Sequence, residues 1–418
     1  LTDRLPTSNC RTTKVVVAMK KSKTKLCDLP DVLLSSIIEK LETQSNALRL
    51  RASCRKFQPL IPPLPKTLLE RQSLNIPLPF ASSSSSDNNH FHYSLIESKV
   101  FAIRPRSEDA SESATTCWFI KVQESNSGQV RLMDPLSRFG FENASDKLKL
   151  PKCLNMLDYE VKELAQDFEL EVVDKDENKV DETYFLIKKV VVSEDFEIMA
   201  MHDSGKVSVW RKGDINWTSI RLDLGNNCME NSFEDIIYYK KKFYVTNRRG
   251  VTLYVDCKTL TVMFAATPDP LRGLSDGLNY LVKSDKHLYL LVKCWIRMYL
   301  CRDNKPYLKL HPTRFQLLKL DEENNMWVDF DLISENRVFF VGEGCCFSVG
   351  IGVGEFAGTL KRNCVYFSDS AFANSDDAYP GWTSAVFDFD DYEVWRFSKF
   401  PSHSRIFWPP PAWIELQD

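Results

Sequence analysis

Few residues of this 418-residue chain stand in a pattern that chemistry could use. Gly350, Gly352 and Gly354 share the alternate spacing of a dinucleotide-binding loop, but that loop needs a strand before it and a helix after it to cradle phosphate. The next apolar run, Asn363 to Phe367, has the β-branched and aromatic character of a strand. A nucleotide site is therefore not expected, and the glycines are read as close packing or tight turns. Ser368-Asp369-Ser370 and Asp388, Asp390 and Asp391 offer a hydroxyl and carboxylates. None of the six histidines stands in a recognisable relation to a nucleophile, and Asp in hairpin turns ordinarily binds backbone amides. The twelve cysteines are scattered, with Cys345-Cys346 and the Cys294 and Cys301 pair as the close neighbours and no C-x-x-C spacing. A zinc site wants two short-spaced ligand pairs. His90 and His92 follow a serine run and read as solvated loop. The expectation is reduced, buried thiols, with no catalytic residue, no metal and no cofactor.

The elements around these residues are mostly strands. Arg337 to Val341 and Asn363 to Phe367 are apolar runs separated by a segment holding six of the fifteen glycines, and neither run has a helical period. They read as inner strands of a sheet. Ser384 to Phe400 alternates Val386, Phe387 and Phe389, turns at Asp390-Asp391 and resumes with Val394, Trp395 and Phe397, which reads as a hairpin beside them. The same layout recurs from Gly205 (GKVSVWRKGDINWTSIRL), Gly250 (GVTLYVDCKTLTVMFAA) and Phe315 (FQLLKLDEENNMWVDFDL). One supersecondary unit reused at loose intervals of about 40 to 70 residues predicts a mainly β chain, a β-propeller with unequal blades. Val100 to Ile103, Cys117 to Val122 and Gln129 to Met133 are the expected strands of its first blade. Arg405 to Trp408 is expected to close the ring as a strand paired with the blade containing Tyr93 to Ile103, with Trp413 covering its apolar side.

Ahead of the β pattern lies a small all-α stretch. Asp28-Leu29-Pro30 opens a helix whose Val32, Leu33, Leu34, Ile37, Ile38 and Leu41 fill one broad face. After a polar break at Glu42 to Asn46, Ala47, Leu48, Leu50 and Ala52 begin a second. Four prolines between Pro59 and Pro65 and the serine run Ser82 to Ser86 make the following region a linker. Asp174 to Glu182 reads as a solvated loop. The predicted organisation is a basic leader over 1–25, a helical domain over 26–66, a linker over 67–90 and a propeller over 91–418.

Composition limits the partners. A formal net charge of −3 from 54 basic and 57 acidic residues offers no polybasic field for phosphate backbones, so nucleic acid is not an expected partner. No run of about 18 apolar residues exists to span a membrane. The chain begins with Leu1 and offers Met19 as an alternative start, a reading in which the residues before Met19 are non-native. Its first 25 residues carry seven Lys or Arg against one Asp. A cytoplasmic or nuclear location is expected, with a mitochondrial one open if that leader is translated.

Two sets of residues resemble known families. Asn363 to Asp369, Val386-Phe387-Asp388, Gly128 to Leu136 after Trp118-Phe119, and the terminal Trp408-Pro409-Pro410-Pro411-Ala412-Trp413-Ile414 resemble the plant DUF295 domain, also called the KIB-type β-propeller. The resemblance runs from about Tyr93 to Ile414. Leu29-Pro30, Ile37, Leu41 and Arg49 to Phe57 resemble an F-box, although Ser53 and Phe57 replace that family's usual valine and tryptophan. An F-box implies docking on a Skp-type adaptor, and through it a cullin, by apolar residues spaced i, i+3, i+4 and i+7, a spacing that Leu34, Ile37, Ile38 and Leu41 fit. The implied adaptor-binding residues are Leu29, Pro30, Leu33, Ile37, Leu41, Leu48, Cys54 and Phe57. The resemblance thus implies a non-catalytic substrate-recognition subunit of an SCF-type E3 ubiquitin ligase, with an unidentified target protein on the propeller. The alternative is a ligand-binding or hydrolytic propeller with a purely structural helical cap.

Overall fold

The computed structural model describes residues 29–39, 57–60, 76–77, 92–105, 117–124, 130–141, 159–173, 187–220, 232–268, 277–284, 286–302, 305–330, 336–351, 356, 359–369, 381–397, 405–411 and 413. The chain divides into two compact units, 1–64 and 65–418. In the first, α1 (Asp31–Glu39) starts where the sequence predicts. The Pro30 carbonyl accepts from the amides of Leu33 (3.0 Å) and Leu34 (3.1 Å); a proline, with no amide to leave unbonded, suits a helix entry. α2 (Phe57–Leu60) contacts α1. Leu34 and Phe57 are each only 1% exposed. Pro59, read from the sequence as the start of a stiff linker, lies inside α2, in a first turn that needs no proline amide.

The second unit is built from strands whose order in the sheets follows blades. β1 (His92–Pro105), β2 (Trp118–Glu124), β3 (Val130–Met133) and β4 (Tyr159–Val173) pair in the order β3-β2-β1-β4. β5 (Ile187–Val192), β6 (Ile198–His202), β7 (Val207–Trp210) and β8 (Thr218–Ile220) form a plain meander. So do β9 (Phe233–Tyr239), β10 (Lys242–Asn247), β11 (Thr252–Asp256) and β12 (Val262–Pro268). A fourth set comprises β13 (Gly277–Lys283), β14 (Leu288–Arg302), β15 (Lys305–Asp321) and β16 (Met326–Asp329). The last comprises β17 (Arg337–Val341), β18 (Cys346–Gly350), β19 (Cys364–Ser368), β20 (Ser384–Asp388) and β21 (Val394–Arg396), ordered β18-β17-β19-β20-β21 with β17 and β19 parallel. Neighbouring sets join weakly: β4 meets β5 at the single pair Phe168 and Val190, and β12 meets β16 at two parallel pairs. Among the described residues the unit is thus a mainly β propeller of five blades.

The innermost strand of each blade is β4, β5, β9, β13 or β18, and these five neighbour one another in a closed ring. Each seam between blades has its own apolar core. Leu170, Val172 and Ile198 fill the first, Val207, Phe233 and Phe243 the second, Tyr244, Leu290 and Trp327 the third, and Tyr289, Phe315 and Phe339 the fourth. Phe119, Phe340, Tyr366 and Phe407 close the ring between the fifth blade and the first. Burial of apolar surface between sheets is what holds such a ring, since few ladder bonds cross its seams.

One expectation holds and one changes. Arg337 to Val341 and Asn363 to Phe367 are inner strands of their sheet, as β17 and β19, with β18 beside them nearest the axis. Arg405 to Trp408 does not pair as a strand; it makes turns. The segment still reaches the first blade, because the Phe119 amide donates to the Ile406 carbonyl (2.6 Å) and Trp118 Nε1 to the Phe407 carbonyl (3.0 Å). Trp413 packs beside Tyr159, ring centroids 5.3 Å apart. Within the stretch 67–90, Ile76 is buried and its carbonyl accepts from the Tyr93 amide at 2.9 Å. The Asp174 to Glu182 loop, Gly352 and Gly354 lie outside the described residues.

Candidate functional site

In the first unit, α1 presents apolar side chains outward. Val32 is 77% exposed and Leu33 52% exposed, while Leu34, one of the spacing-derived anchors, is buried. Leu29 is half-buried, Pro30 exposed and Phe57 buried. Ile37 lies on α1; its side chain, together with Leu41, Leu48 and Cys54, lies outside the described residues. Val32 and Leu33 thus leave adjacent apolar side chains in water on a nine-residue helix.

In the second unit, a cavity of about 940 Å³ opens on the axis. It is lined from all five inner strands or the turns they lead into, at the ends of β5, β9 and β13 where the chain turns out to the next strand. Charged side chains hold the inner strands together. Asp235 on β9 accepts from Lys189 Nζ of β5 through Oδ1 (2.7 Å) and from the Leu281 amide of β13 through Oδ2 (2.7 Å). One carboxylate therefore ties three consecutive blades. Burial alone would lower the Lys189 pKa, but Asp235 and the nearby thiols outweigh it and raise it. Lys121 and Asp167, both 2% exposed, pair between β2 and β4. At the mouth, Lys283 donates to the Tyr238 carbonyl (3.0 Å), and Ser348 Oγ donates to the Lys283 carbonyl (2.8 Å). Lys283 keeps solvent contact, yet water excluded by the surrounding protein lowers its pKa.

Ser370 lies outside the described residues; the carboxylates singled out by sequence for possible chemistry have structural partners. Asp369 pairs with buried Lys293 at 2.9 Å. Asp388 is buried, pairs with Lys361 and accepts the Asp390 amide (2.9 Å); Asp391 accepts the Glu393 amide (2.9 Å). Cys345 and Cys346 are free thiols in the cavity wall, and burial pushes the Cys346 pKa up to about 12, so they are poor nucleophiles. Gly350 ends β18 opposite Arg337. Among the described residues, no group of three or more His, Cys, Asp or Glu could hold a metal ion, and no helix is long and apolar enough to cross a membrane. Sequence reasoning missed the channel residues Lys189, Asp235, Lys283, Arg337 and Ser348. Local spacing carried no signal for them, because Lys189 and Asp235 meet only where the ring sets β5 beside β9.

Comparison with known proteins agrees with this architecture. The profile of the KIB1-4 beta-propeller matches residues 92–393, from the first residue of β1 almost to the start of β21. The chain is 26% identical over 407 residues to F-box protein SKIP23 of Arabidopsis thaliana, covering 92% of this chain and 94% of that protein. It is 25% identical over 408 residues to F-box protein At2g17036 of the same plant, with the same coverage of each. The chain belongs to the KIB1-4 β-propeller family, and its resemblance to plant F-box proteins carrying that propeller is borne out.

Proposed function

We propose that the chain is the substrate-recognition subunit of an SCF-type E3 ubiquitin ligase: its N-terminal helices hold a Skp-type adaptor, and through it a cullin, while the propeller holds the target protein. The observation that supports this most is the exposure of Val32 and Leu33 on α1, ahead of a propeller whose plant relatives are named F-box proteins and align along almost the whole chain. Leu29, Pro30, Leu33, Ile37, Leu41, Leu48, Cys54 and Phe57 are the proposed docking positions, of which Phe57 is buried in the free chain. The role needs no catalytic group, because other subunits of such a ligase supply the chemistry.

Capture of a Skp-type adaptor by the full chain tests the reading. Leu33→Asp places a carboxylate where docking would bury it unpaired, at a cost of several kcal/mol, about enough to abolish a micromolar contact. Because Leu33 is exposed in the free protein, the melting temperature should not move. Ile37→Asp or Leu41→Asp should likewise abolish capture while the propeller stays folded. Adaptor capture that survives Leu33→Asp and Ile37→Asp together would remove the assignment.

A further inference from the structure

The lining of the channel mouth holds two cations, Arg337 and Lys283, that form no ion pair among the described residues, although the Glu194 carboxylate at the same mouth acts on Lys283. Glu97 and Glu163 share Lys99, at 3.6 and 3.2 Å. Asp167 takes Lys121, and Lys189 takes Asp235 (2.7 Å). Arg337, the first residue of β17, donates from Nη1 to Ser348 Oγ (3.0 Å), while its buried Nε has no partner. Lys283 bonds a backbone carbonyl, that of Tyr238. Ser348 joins the two, accepting from Arg337 and donating to the Lys283 carbonyl. Opposite Arg337 the sequence places Gly350, where a Cβ would stand 3.8 Å from Nη2, so position 350 puts no side chain against the guanidinium.

A buried donor without a partner costs free energy, and Lys283, exposed beside it, spends its ammonium on a backbone carbonyl alone. Both stand at one wall of one cavity, where an anion would meet the two cations together. We propose that the channel mouth binds an oxyanion, a carboxylate or phosphate group, gripped by the Arg337 fork and by Lys283. Guanidinium recognises such groups through paired N–H donors, and an ammonium adds a point charge. The cavity volume is at the upper end of what small-ligand sites occupy, so the oxyanion can come from a free small molecule or from an acidic side chain of a peptide. The proposal goes beyond the ubiquitin-ligase reading and stands whether or not α1 holds an adaptor.

Calorimetric titration of the full chain at low salt with sodium pyrophosphate, with hexaglutamate and with hexaglutamine tests it. At least one anionic probe should bind and hexaglutamine should not. Pyrophosphate alone points to a small-molecule source, and hexaglutamate to a peptide source. Arg337→Gln and Lys283→Gln should each weaken binding about 10- to 100-fold. Lys206→Gln, an exposed change in the turn at the other end of β6, should leave it unaltered. The Arg337→Gln and Lys283→Gln double variant should melt no lower than the parent, since the pair is held for a ligand. No binding of either anion at millimolar concentration, binding within twofold in the double variant, or a double variant that melts well below the parent would overturn the proposal.

Discussion

Asp134 shows how one residue can set a pH dependence. Its Oδ1 accepts the amides of Leu136 (2.7 Å) and Ser137 (2.9 Å), while Oδ2 is buried without a partner. Burial, only partly offset by those amides, pushes the carboxyl pKa up to about 6. A folded-state pKa above the unfolded value of about 4 means the folded chain binds this proton more tightly. Its contribution is fully favourable below pH ~4 and is lost as pH rises through about 6. Asp134→Asn keeps the Oδ1 acceptor and removes the charge, so it should stabilise the fold above pH ~6 by up to about 3 kcal/mol and change little at pH ~4. Urea unfolding at both pH values checks this, and an unchanged pH slope would contradict it. Removing the Asp235 carboxylate should destabilise the fold instead. Asp235→Ala strands Lys189 as an unpaired buried charge and frees the Leu281 amide, at a cost of about 3 to 5 kcal/mol. Adding Lys189→Met to that variant should recover part of the loss. Neither role was legible in the sequence, where each is one aspartate among many. Partner identity depends on which strands the ring brings together.

At the scale of elements, the hairpins were the legible part. The repeats starting at Gly205, Gly250, Phe315 and Ser384 are the two outer strands of the second to fifth blades; β7 and β20 are buried on both faces, and what made the units legible was an apolar, β-branched and aromatic run broken by a polar turn. The inner strands were harder to see. β18, CFSVG, is short and embedded among glycines, and its alternation of half-buried and buried residues follows the channel wall rather than a solvent face. α1 was legible because its apolar period is helical, yet spacing alone could not say which of Leu33 and Leu34 faces outward. Between the third and fourth blades, the signal was the tryptophan that often opens a second strand. Trp327 on β16 donates from Nε1 to the Gly250 carbonyl (3.0 Å) and to Thr252 Oγ1 (3.1 Å) across the seam. Trp327→Phe keeps most of the ring but loses both bonds, and should cost about 1 to 3 kcal/mol in unfolding free energy. A variant with the parent's urea midpoint would show that the apolar core of the seam holds it without the two indole bonds.

At the scale of the whole molecule, the question is how the ring stays shut. The seam between the fifth and first blades spans the largest separation in sequence, and here the sequence reading had the right segment and the wrong bond. Instead of a strand, the C-terminal segment inserts side chains. Ile406 and Phe407 are buried within the closing core, Phe407 lies 6.1 Å from Phe119 and 5.5 Å from Phe397 between ring centroids, and two backbone carbonyls take donors from β2. The turn after β3 clasps the same seam, its Leu136 carbonyl accepting from the Glu343 amide (3.0 Å) and Ser368 Oγ (2.9 Å). Removing residues 401–418 would leave the clasp but empty the core of Ile406 and Phe407. Deleting one large buried side chain costs about 3 to 5 kcal/mol, so losing two, with their hydrogen bonds, approaches the stability of a typical fold. The truncated chain should melt far lower and aggregate as the two blades part and expose their apolar faces. Phe407→Ala alone should show an intermediate fall while remaining monomeric. If the truncated chain stays monomeric with the parent's melting temperature, the clasp at Leu136 and the contact between β4 and β18 are enough to close the ring.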